Sequence, residues 1–465
     1  MKKTVILYDD SRIPERMIRN ITGNKSFGET IYKRKTLRER TAQIVTKLEH
    51  CAAFLDVSEA GHGSYAGNAV LKLYSDMAIR DVKAFDILTE KALYAKECFK
   101  VVQDEKTAAV IYPDMDAFLS ANPDREEECL AIATDAFLNL ASPAAFRQFI
   151  TGGFDARFFN ELKGDAYTVI KQSTNVEKLR REYTFYSLLP DDMKMWFAMP
   201  FSYREENGTA AYTMERYHMT DLAIRYVHGA ISPEEFRQVM EKLFRFIECR
   251  HTKTVDPDTY SACMRKLYVE KVAKRLDELQ KSEAFERLND LLKNGTGYDG
   301  LAAVYEKYLQ LYEHMTAKRR FEPVLVIGHG DLCFSNILYS DEASFMKLID
   351  PKGAETEEEL YTDPYYDLAK LSHSVCGAYD YFNSDLFEIT LDDDMRLKLH
   401  VDCDNAVYEA IFKEYLEKHR LDYDLIRLYE ASLFLSMLPL HIDREKKVMG
   451  FLLNAISIME GIANE

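Results

Sequence analysis

A segment near residue 330 restricts the possible folds of this chain more than any other, because it places polar residues at the ends of two short apolar stretches. Val324–Ile327 leads into a glycine-flanked His329 and then Asp331, and Asn336 follows five residues later. A second apolar stretch ends at Asp350. Asp331 and Asn336 can share one loop, and a β-hairpin can bring Asp350 beside them. The spacing predicts a site at which three oxygen-bearing side chains meet.

These residue types suit phosphoryl transfer. A carboxylate can take a proton from an attacking hydroxyl, while an Asn and a second Asp give oxygen ligands to Mg²⁺. Magnesium binds through few protein ligands together with substrate phosphates, which fits so small a set. Phosphoryl transfer needs positioning and charge neutralisation more than covalent chemistry from the protein. We therefore expect Mg²⁺ at Asn336 and Asp350, beside a carboxylate that accepts a proton.

Composition excludes several classes of protein. The chain has 465 residues, with 60 Lys and Arg against 77 Asp and Glu, and a net charge of −17. Duplex-binding proteins gain affinity by neutralising phosphates, so this balance predicts no nucleic-acid partner. No apolar run approaches the roughly 18 residues of a membrane span. The eight cysteines are scattered without a C-x-x-C pair, which predicts reduced thiols in a cytoplasmic protein.

The pattern of apolar residues changes along the chain and predicts three domains. Residues 1–142 alternate short apolar stretches with amphipathic ones, which favours a small α/β domain with a helix over Pro123–Asn139. Residues 145–218 are predicted to be rich in strands, beginning with one at Phe146–Ile150. Residues 219–465 are predicted to be mostly helical. The expected fold class is α+β.

Three motifs in register resemble a known family. They are His329-Gly330-Asp331 followed by Asn336, then Ile349-Asp350, then Asp363-Pro364-Tyr365-Tyr366-Asp367-Leu368-Ala369. Together they resemble the aminoglycoside phosphotransferase and choline kinase family, a branch of the protein-kinase-like fold that phosphorylates small molecules. The resemblance implies a bilobal protein-kinase-like fold, with the α/β domain preceding a small β-rich lobe and a large helical lobe. It also implies ATP as the phosphoryl donor.

The resemblance assigns roles to individual residues. Asp331 is expected to be the catalytic base, and Asn336 and Asp350 the magnesium ligands. Asp367 is expected to brace the catalytic loop from the following helix. His329 is expected to be structural.

An ATP-anchoring lysine is also implied by the resemblance. Lys171 ends a predicted strand, and Glu182 follows eleven residues later on a predicted helix, where it can pair with that lysine. Glu177 is the rival glutamate, but it lies near the expected helix start, where an acidic residue favours the helix dipole. A surface lysine at a strand end is the alternative interpretation of Lys171.

The rest of the nucleotide site is less clearly marked. Gly152 and Gly153 are candidates for a turn that covers the phosphates, although a glycine pair is more often a plain hairpin turn. Glu215 and Tyr217 belong to the expected hinge between the lobes. By resemblance, the hinge backbone rather than its side chains would contact the adenine.

The acceptor is expected to be a hydroxyl on a small molecule. Tyr379 and Asp380 follow the helix of Asp367, and a carboxylate beside an aromatic ring can bind a cation such as choline or an amino sugar. A solvated acidic surface is the alternative interpretation. The motifs at residues 158–163, 169–173, 180–186, 329–339 and 363–374 together resemble bacterial phosphotransferases linked to capsule and surface polysaccharides. That resemblance favours a sugar or a choline-type decoration. The sequence leaves the oligomeric state open.

Residues 1–142 have a faint likeness to nucleotidyltransferases of the sugar-nucleotide type, based on Leu73–Asp76 ending a strand. Such enzymes need a glycine-rich loop after the first strand, and residues 9–22 contain no glycine. We interpret this domain as non-catalytic. Two alternatives remain for the chain: a pseudokinase-like nucleotide-binding scaffold, and a bifunctional kinase and nucleotidyltransferase.

Overall fold

The computed structural model describes residues 2–61, 65–122, 126, 128–151, 160–164, 167–319 and 321–464. The chain divides into two compact units. The first comprises residues 1–155 and 228–230, and the second comprises residues 156–227 and 231–465. Within the described ranges, no helix combines the length and apolar character needed to cross a membrane.

The first unit mixes strands and helices. Its strands are β1 Thr4–Asp9, β2 Ile31–Tyr32, β3 Lys35–Thr36, β4 Cys51–Asp56, β5 Ala69–Tyr74, β6 Met77–Ile79, β7 Phe99–Gln103, β8 Lys106–Tyr112, β9 Leu130–Ala133 and β10 Phe137–Asn139. Its helices are α1 Arg16–Thr22, α2 Leu37–Val45, α3 Val82–Ala92, α4 Met115–Leu119 and α5 Pro143–Thr151.

A six-stranded sheet in the order β4-β1-β5-β8-β7-β9 forms the centre of this unit. Strands β4, β1 and β5 are parallel, whereas β8 is antiparallel to both of its neighbours. Every residue of β1 and β5 is buried, as expected for strands covered on both faces. The predicted α/β character of this part of the chain therefore agrees with its described residues.

Three expectations for this unit are wrong. The region predicted as a helix, Pro123–Asn139, contains strands β9 and β10, because β9 pairs with the distant β7. The predicted strand Phe146–Ile150 lies in helix α5, which starts at Pro143, and proline favours the first helical turn. The expectation of reduced thiols fails for Cys98 and Cys129, which form a disulfide with their Cα atoms 5.5 Å apart.

The second unit contains the remaining elements. Its strands are β11 Asn160–Gly164, β12 Thr168–Ser173, β13 Pro200–Glu206, β14 Thr209–Glu215, β15 Thr220–Asp221, β16 Thr252–Thr254, β17 Val324–Ile327, β18 Ile337–Ser340, β19 Phe345–Leu348, β20 Tyr361–Thr362, β21 Phe387–Leu391 and β22 Leu397–Val401. Its helices are α6 Val176–Leu188, α7 Asp191–Lys194, α8 Leu222–Val227, α9 Pro233–Glu248, α10 Pro257–Arg265, α11 Lys271–Gln280, α12 Phe285–Gly295, α13 Leu301–Ala317, α14 Tyr366–Val375, α15 Tyr379–Asn383, α16 Ala406–Lys418, α17 Tyr423–Met437 and α18 Glu445–Asn464.

An antiparallel sheet in the order β11-β12-β14-β13 begins this unit, with α6 and α7 inserted between β12 and β13. The β13–β14 hairpin turns at Asn207-Gly208, where both residues have positive φ angles, as tight hairpins require. Helix α6 packs against β12, β13 and β14. Two further small sheets, β15-β18-β19 and β16-β17-β20, flank the segment from residue 328 to residue 336. The mixture of strands and helices agrees with the expected α+β class.

Candidate functional site

The loop that follows β17 is held by one buried carboxylate. Asp367, on α14, accepts hydrogen bonds from the backbone N–H of His329 at 2.9 Å and of Gly330 at 2.8 Å. The guanidinium of Arg250 lies 3.2 Å from the same carboxylate and compensates its charge. Asp367 and His329 are both fully buried. The expected bracing contact is therefore present, and Arg250 is a partner that the sequence analysis missed.

His329 links the two halves of the site through its ring. Its Nδ1 accepts the backbone N–H of Asp331 at 3.2 Å, so Nε2 carries the hydrogen and donates it to the carbonyl of Ile349 at 2.9 Å. Burial lowers the pKa of His329 and outweighs the nearby carboxylates, which favours this neutral form. The ring also stacks on Phe197, with centroids 5.8 Å apart. The contacts agree with a structural role.

Asp331 forms an ion pair that the sequence analysis did not predict. Lys370 Nζ lies 2.8 Å from Asp331 Oδ1, and Asn336 Nδ2 lies 3.2 Å from Oδ2. Burial works to raise the pKa of Asp331, but the charge of Lys370 overrides it and holds the pKa at about 2. About 43% of the Asp331 side chain remains exposed, so the carboxylate is ionised and open to a ligand. Lys370 lies one helical turn after Asp367, a spacing that could have revealed it.

Asn336 and Asp350 lie side by side because the β18–β19 hairpin pairs their neighbours. The backbone N–H of Ile349 donates to the carbonyl of Asn336 at 3.0 Å. Asn336 Nδ2 donates to the carbonyl of Asp331 at 2.8 Å, which leaves its Oδ1 for another partner. Asp350 has a φ of 54°, which turns the chain sharply after the strand. Its side chain is 42% exposed.

The donor set formed by Asn336 and Asp350 suits Mg²⁺ in its chemistry. An amide oxygen and a carboxylate are both hard oxygen ligands, which this ion prefers. Among the described residues, no cluster of three or more His, Cys, Asp or Glu side chains is arranged for a metal. A two-ligand site of this kind depends on substrate phosphates and water to complete the coordination shell.

Lys171 connects this hairpin to the four-stranded sheet. Its ammonium lies 2.6 Å from Glu182 Oε2 and 2.9 Å from Asp350 Oδ1, so the pairing expected for Lys171 and Glu182 is present. Only 3% of the Lys171 side chain is exposed. Burial works to lower the pKa of Lys171, but Asp350, Tyr212 and Glu182 together raise it above its ordinary value. The rival Glu177 is exposed in the first turn of α6.

Helix α6 is fixed beside the segment that follows Asp350. Gly353 has a φ of 87°, and a Cβ atom there would lie 2.8 Å from the backbone nitrogen of Glu182. The backbone N–H of Ala354 donates to the carbonyl of Arg181 at 3.0 Å. Only glycine allows this close approach, because a side chain would collide with the helix backbone. The contact keeps Glu182 within reach of Lys171.

A small cleft that is open to solvent adjoins this cluster. Its walls include the polar Glu182 and Asp350 and the apolar side chains of Phe197, Met214 and Leu348. Such a cleft, apolar with a few convergent polar groups, is typical of small-molecule sites.

The structure gives less information on the other residues that were predicted to contact the nucleotide. Glu215 ends β14, and the hydroxyl of Tyr217 donates to its Oε2 at 3.0 Å. Gly152 and Gly153 lie outside the described residues. Their predicted contact with phosphate stays a prediction.

Tyr379 and Asp380 lie in the short helix α15 in different environments. The ring of Tyr379 stacks on His373 with centroids 4.2 Å apart, and it is partly exposed. Asp380 is only 2% exposed. Burial raises its pKa to about 7, with partial compensation from Ser374. Asp380 is therefore poorly placed to bind a cation from solvent, and its acceptor role stays a prediction.

Strand-end aspartates of the first unit are neutralised by protein cations. Asp76 follows β5 and is fully buried, with Arg12 Nη1 at 2.9 Å and Lys106 Nζ at 2.7 Å. Asp9 ends β1 and lies 3.4 Å from Lys72 Nζ. Since ion pairs occupy these carboxylates, they offer little to a metal ion.

Sequence comparison gives the family. A sequence profile of the phosphotransferase enzyme family matches residues 147–397, which is more than half of the chain. This chain belongs to that family. No curated protein sequence matches it. The narrower capsule-associated group has no support in these comparisons.

Solved structures of aminoglycoside phosphotransferases are similar to the chain at low identity. A thermostable mutant of APH(4)-Ia in its apo form aligns over 66% of this chain and 95% of its own, with 9% identity and a TM-score of 0.40. An aminoglycoside-3'-phosphotransferase of type VIII aligns over 60% of this chain and 93% of its own, with 14% identity and a TM-score of 0.33. Scores this low support no inference about activity, so the family assignment depends on the sequence match.

Proposed function

We propose that this chain is a small-molecule kinase that uses ATP and Mg²⁺ to phosphorylate a hydroxyl group. One observation supports this above all others. The buried ammonium of Lys171 lies between Glu182 and Asp350, and the same hairpin that presents Asp350 also presents Asn336 and the loop of Asp331. The cation proposed to bind phosphate, the two residues proposed to bind Mg²⁺ and the proposed proton acceptor thus lie close together in one unit.

The nucleotide would occupy the cleft beside Lys171. Lys171 would bind the phosphates, as the corresponding lysine does in the kinase template. The apolar walls at Met214 and Leu348 would enclose the base, and the backbone near Glu215 and Tyr217 would contact its polar edge. Magnesium, when bound by Asn336 and Asp350, would supply positive charge to the phosphate oxygens.

Asp331 would orient the acceptor hydroxyl. The hydroxyl oxygen forms a bond to the γ-phosphorus, the bond from that phosphorus to the β–γ bridging oxygen breaks, and ADP leaves. The hydroxyl proton passes to Asp331 and then to water. Because the pKa of Asp331 is about 2, the carboxylate accepts the proton late, when the new bond to phosphorus has made the hydroxyl acidic.

The proposal also includes the class of acceptor, the biological process and the location in the cell. A sugar, an amino sugar or a choline-like alcohol is the predicted acceptor class, and Tyr379 is its predicted contact. A role in surface polysaccharide synthesis would follow from such an acceptor. We propose a cytoplasmic location because the reaction consumes ATP.

The two alternatives are less well supported. A nucleotide-binding scaffold has no need of a catalytic Asp331 held ionised by its own lysine. A second activity as a nucleotidyltransferase requires free carboxylates at the strand ends of the first unit, and Asp9 and Asp76 are engaged by cations.

Nucleotide binding tests this function before any acceptor is known. We expect the full chain to bind ATP in calorimetric titrations, and omission of Mg²⁺ should weaken that binding. Lys171→Met should weaken binding at least about tenfold, which corresponds to about 1.4 kcal/mol. Lys194→Met is the matched control, because the carboxylate that Lys194 pairs with among the described residues is the exposed Asp191. A wild-type chain that binds no ATP with Mg²⁺ present would contradict the proposal.

A further inference from the structure

Two lysines from separate parts of the second unit lie close to the loop of Asp331. Lys271, the first residue of α11, donates from Nζ to the hydroxyl of Tyr366 at 2.8 Å. The backbone N–H of Lys352 donates to the carbonyl of His329 at 2.9 Å, and its side chain covers Gly330. We call Lys271, Lys352 and Tyr366 the basic cluster.

The basic cluster lies next to Asp331. Tyr366 and Lys370 are four residues apart on α14 and so share one face of the helix. Lys370 Nζ is 2.8 Å from Asp331. The cluster is thus one residue away from the group proposed to orient the acceptor hydroxyl.

Both lysines of the basic cluster lack a carboxylate that would compensate their charge. Lys370 is paired with Asp331, but no described carboxylate oxygen lies within 4.0 Å of the ammonium of Lys271 or Lys352. The chain has 17 more acidic than basic residues, and many of its other lysines are paired. Uncompensated positive charge beside a reaction centre favours an anionic ligand.

The pKa of Tyr366 indicates that the electrostatic potential in the basic cluster is positive. Burial works to raise the pKa of its hydroxyl, yet Lys271, Lys370 and Lys352 override burial and lower the pKa. The equally buried Tyr268 has the ordinary response, a raised pKa. The hydroxyl of Tyr366 therefore lies in a positive field strong enough to reverse the effect of burial.

Lys271 directly follows an unusual element of the backbone. A π-helical turn at Lys266–Glu270 connects α10 to α11. Such turns are rare and are found frequently at functional sites.

We propose that the basic cluster binds an anionic group, a phosphate or a carboxylate, on the acceptor. Within the proposed acceptor class, the substrate is then an anionic sugar alcohol such as a sugar phosphate or a sugar acid, rather than choline or a cationic amino sugar. This inference rests on the proposed kinase function and specifies its substrate class. The anionic group accepts hydrogen bonds from Lys271 and Tyr366 while the acceptor hydroxyl lies at Asp331. The nucleotide phosphates have their own proposed cation in Lys171, which pairs with Glu182 and Asp350.

Binding of simple anions tests the cluster without knowledge of the substrate. The full chain is saturated with ADP and Mg²⁺, which occupies the nucleotide site, and is titrated with inorganic phosphate and, separately, with acetate. We expect binding of at least one of them, at least about tenfold weaker in Lys271→Met, since a charge-assisted hydrogen bond is lost. The control is Lys274→Met, an exposed lysine on the same helix, which should bind as the wild type does.

The two arms identify the anion, because phosphate and acetate stand for phosphorylated and carboxylated acceptors. Failure of both anions to bind, or equal binding by wild type and Lys271→Met, overturns the inference. Weaker binding of ADP by Lys271→Met also overturns it, since the cluster would then serve the nucleotide. A wild-type chain that binds neither ADP nor ATP overturns the proposed function itself, and this outcome is separate from the other three.

Discussion

Replacement of Lys171 by Met tests the buried charge cluster on which the nucleotide site depends. The substitution removes an ammonium that lies 2.6 Å from Glu182 and 2.9 Å from Asp350. Asp350 can be solvated, because 42% of its side chain is exposed, but only 1% of Glu182 is exposed. Glu182 keeps the hydroxyl of Tyr212 at 3.2 Å and the half-exposed Lys178 at 3.5 Å. Breaking a buried ion pair in this way costs about 3–5 kcal/mol.

Proton uptake sets an upper limit on that cost and makes it depend on pH. A carboxyl group with an ordinary pKa near 4.3 can be protonated at pH 7 for about 3.7 kcal/mol, and at pH 5.5 for about 1.6 kcal/mol. Near neutral pH the native state of the mutant binds a proton that its unfolded state does not, so its stability falls as pH rises. We expect Lys171→Met to lower the free energy of unfolding by about 3–4 kcal/mol at pH 7 and by about 1–2 kcal/mol at pH 5.5.

Urea unfolding at the two pH values measures this difference. Trp196 is the single tryptophan and packs against Phe246 in the second unit, so its fluorescence follows that unit. Adding Glu182→Gln to Lys171→Met should restore most of the stability but none of the ATP affinity. A cost that is equal at both pH values, or below about 1 kcal/mol at pH 7, would refute the reasoning.

Three further predictions follow from the site and the first unit. Lys370→Met should lower kcat about 100-fold and move the acid limb of its pH profile upward by about 1–3 pH units, because the pKa of Asp331 rises without the lysine; an unmoved limb would contradict this. Asp367→Asn should lower kcat at least about tenfold with little change in ATP affinity, since the loop of Asp331 loses its anionic brace; unchanged turnover would oppose that role. Cys98→Ser with Cys129→Ser should destabilise the first unit by about 2–4 kcal/mol in denaturant titrations, and equal midpoints would exclude the cross-link.

Local spacing made much of the site predictable from sequence. Asp331 and Asn336 share one loop, and a single hairpin adds Asp350, so their proximity follows from short-range structure. Lys370 lies 39 residues after Asp331 and meets it only through the packing of α14 on the loop. Its position one turn after Asp367 was an available signal, but a lysine on a helix is most often a solvent contact.

Two secondary-structure predictions were wrong, one because of a long-range strand pairing and one because of a helix start. Leu130–Ala133 is a strand because Phe99 and its neighbours pair with it, and the disulfide of Cys98 and Cys129 joins the residues just before that pairing. No local pattern encodes a partner 31 residues away. Phe146–Ile150 is too short a segment to distinguish a strand from a helix by its pattern, and Pro143 decides in favour of the helix.

Acceptor-dependent ADP release by the full chain is the most direct measurement of the central claim. A coupled assay with ATP and Mg²⁺ would include neutral sugars, amino sugars, choline, sugar phosphates and sugar acids, with Asp331→Asn as the matched blank. The account predicts ADP release with at least one hydroxyl acceptor, and a fall of at least about 100-fold in Asp331→Asn while ATP affinity stays within about twofold. Turnover that survives in Asp331→Asn would contradict the role of this carboxylate, and a wild-type chain that binds ATP but phosphorylates no hydroxyl would contradict the kinase itself.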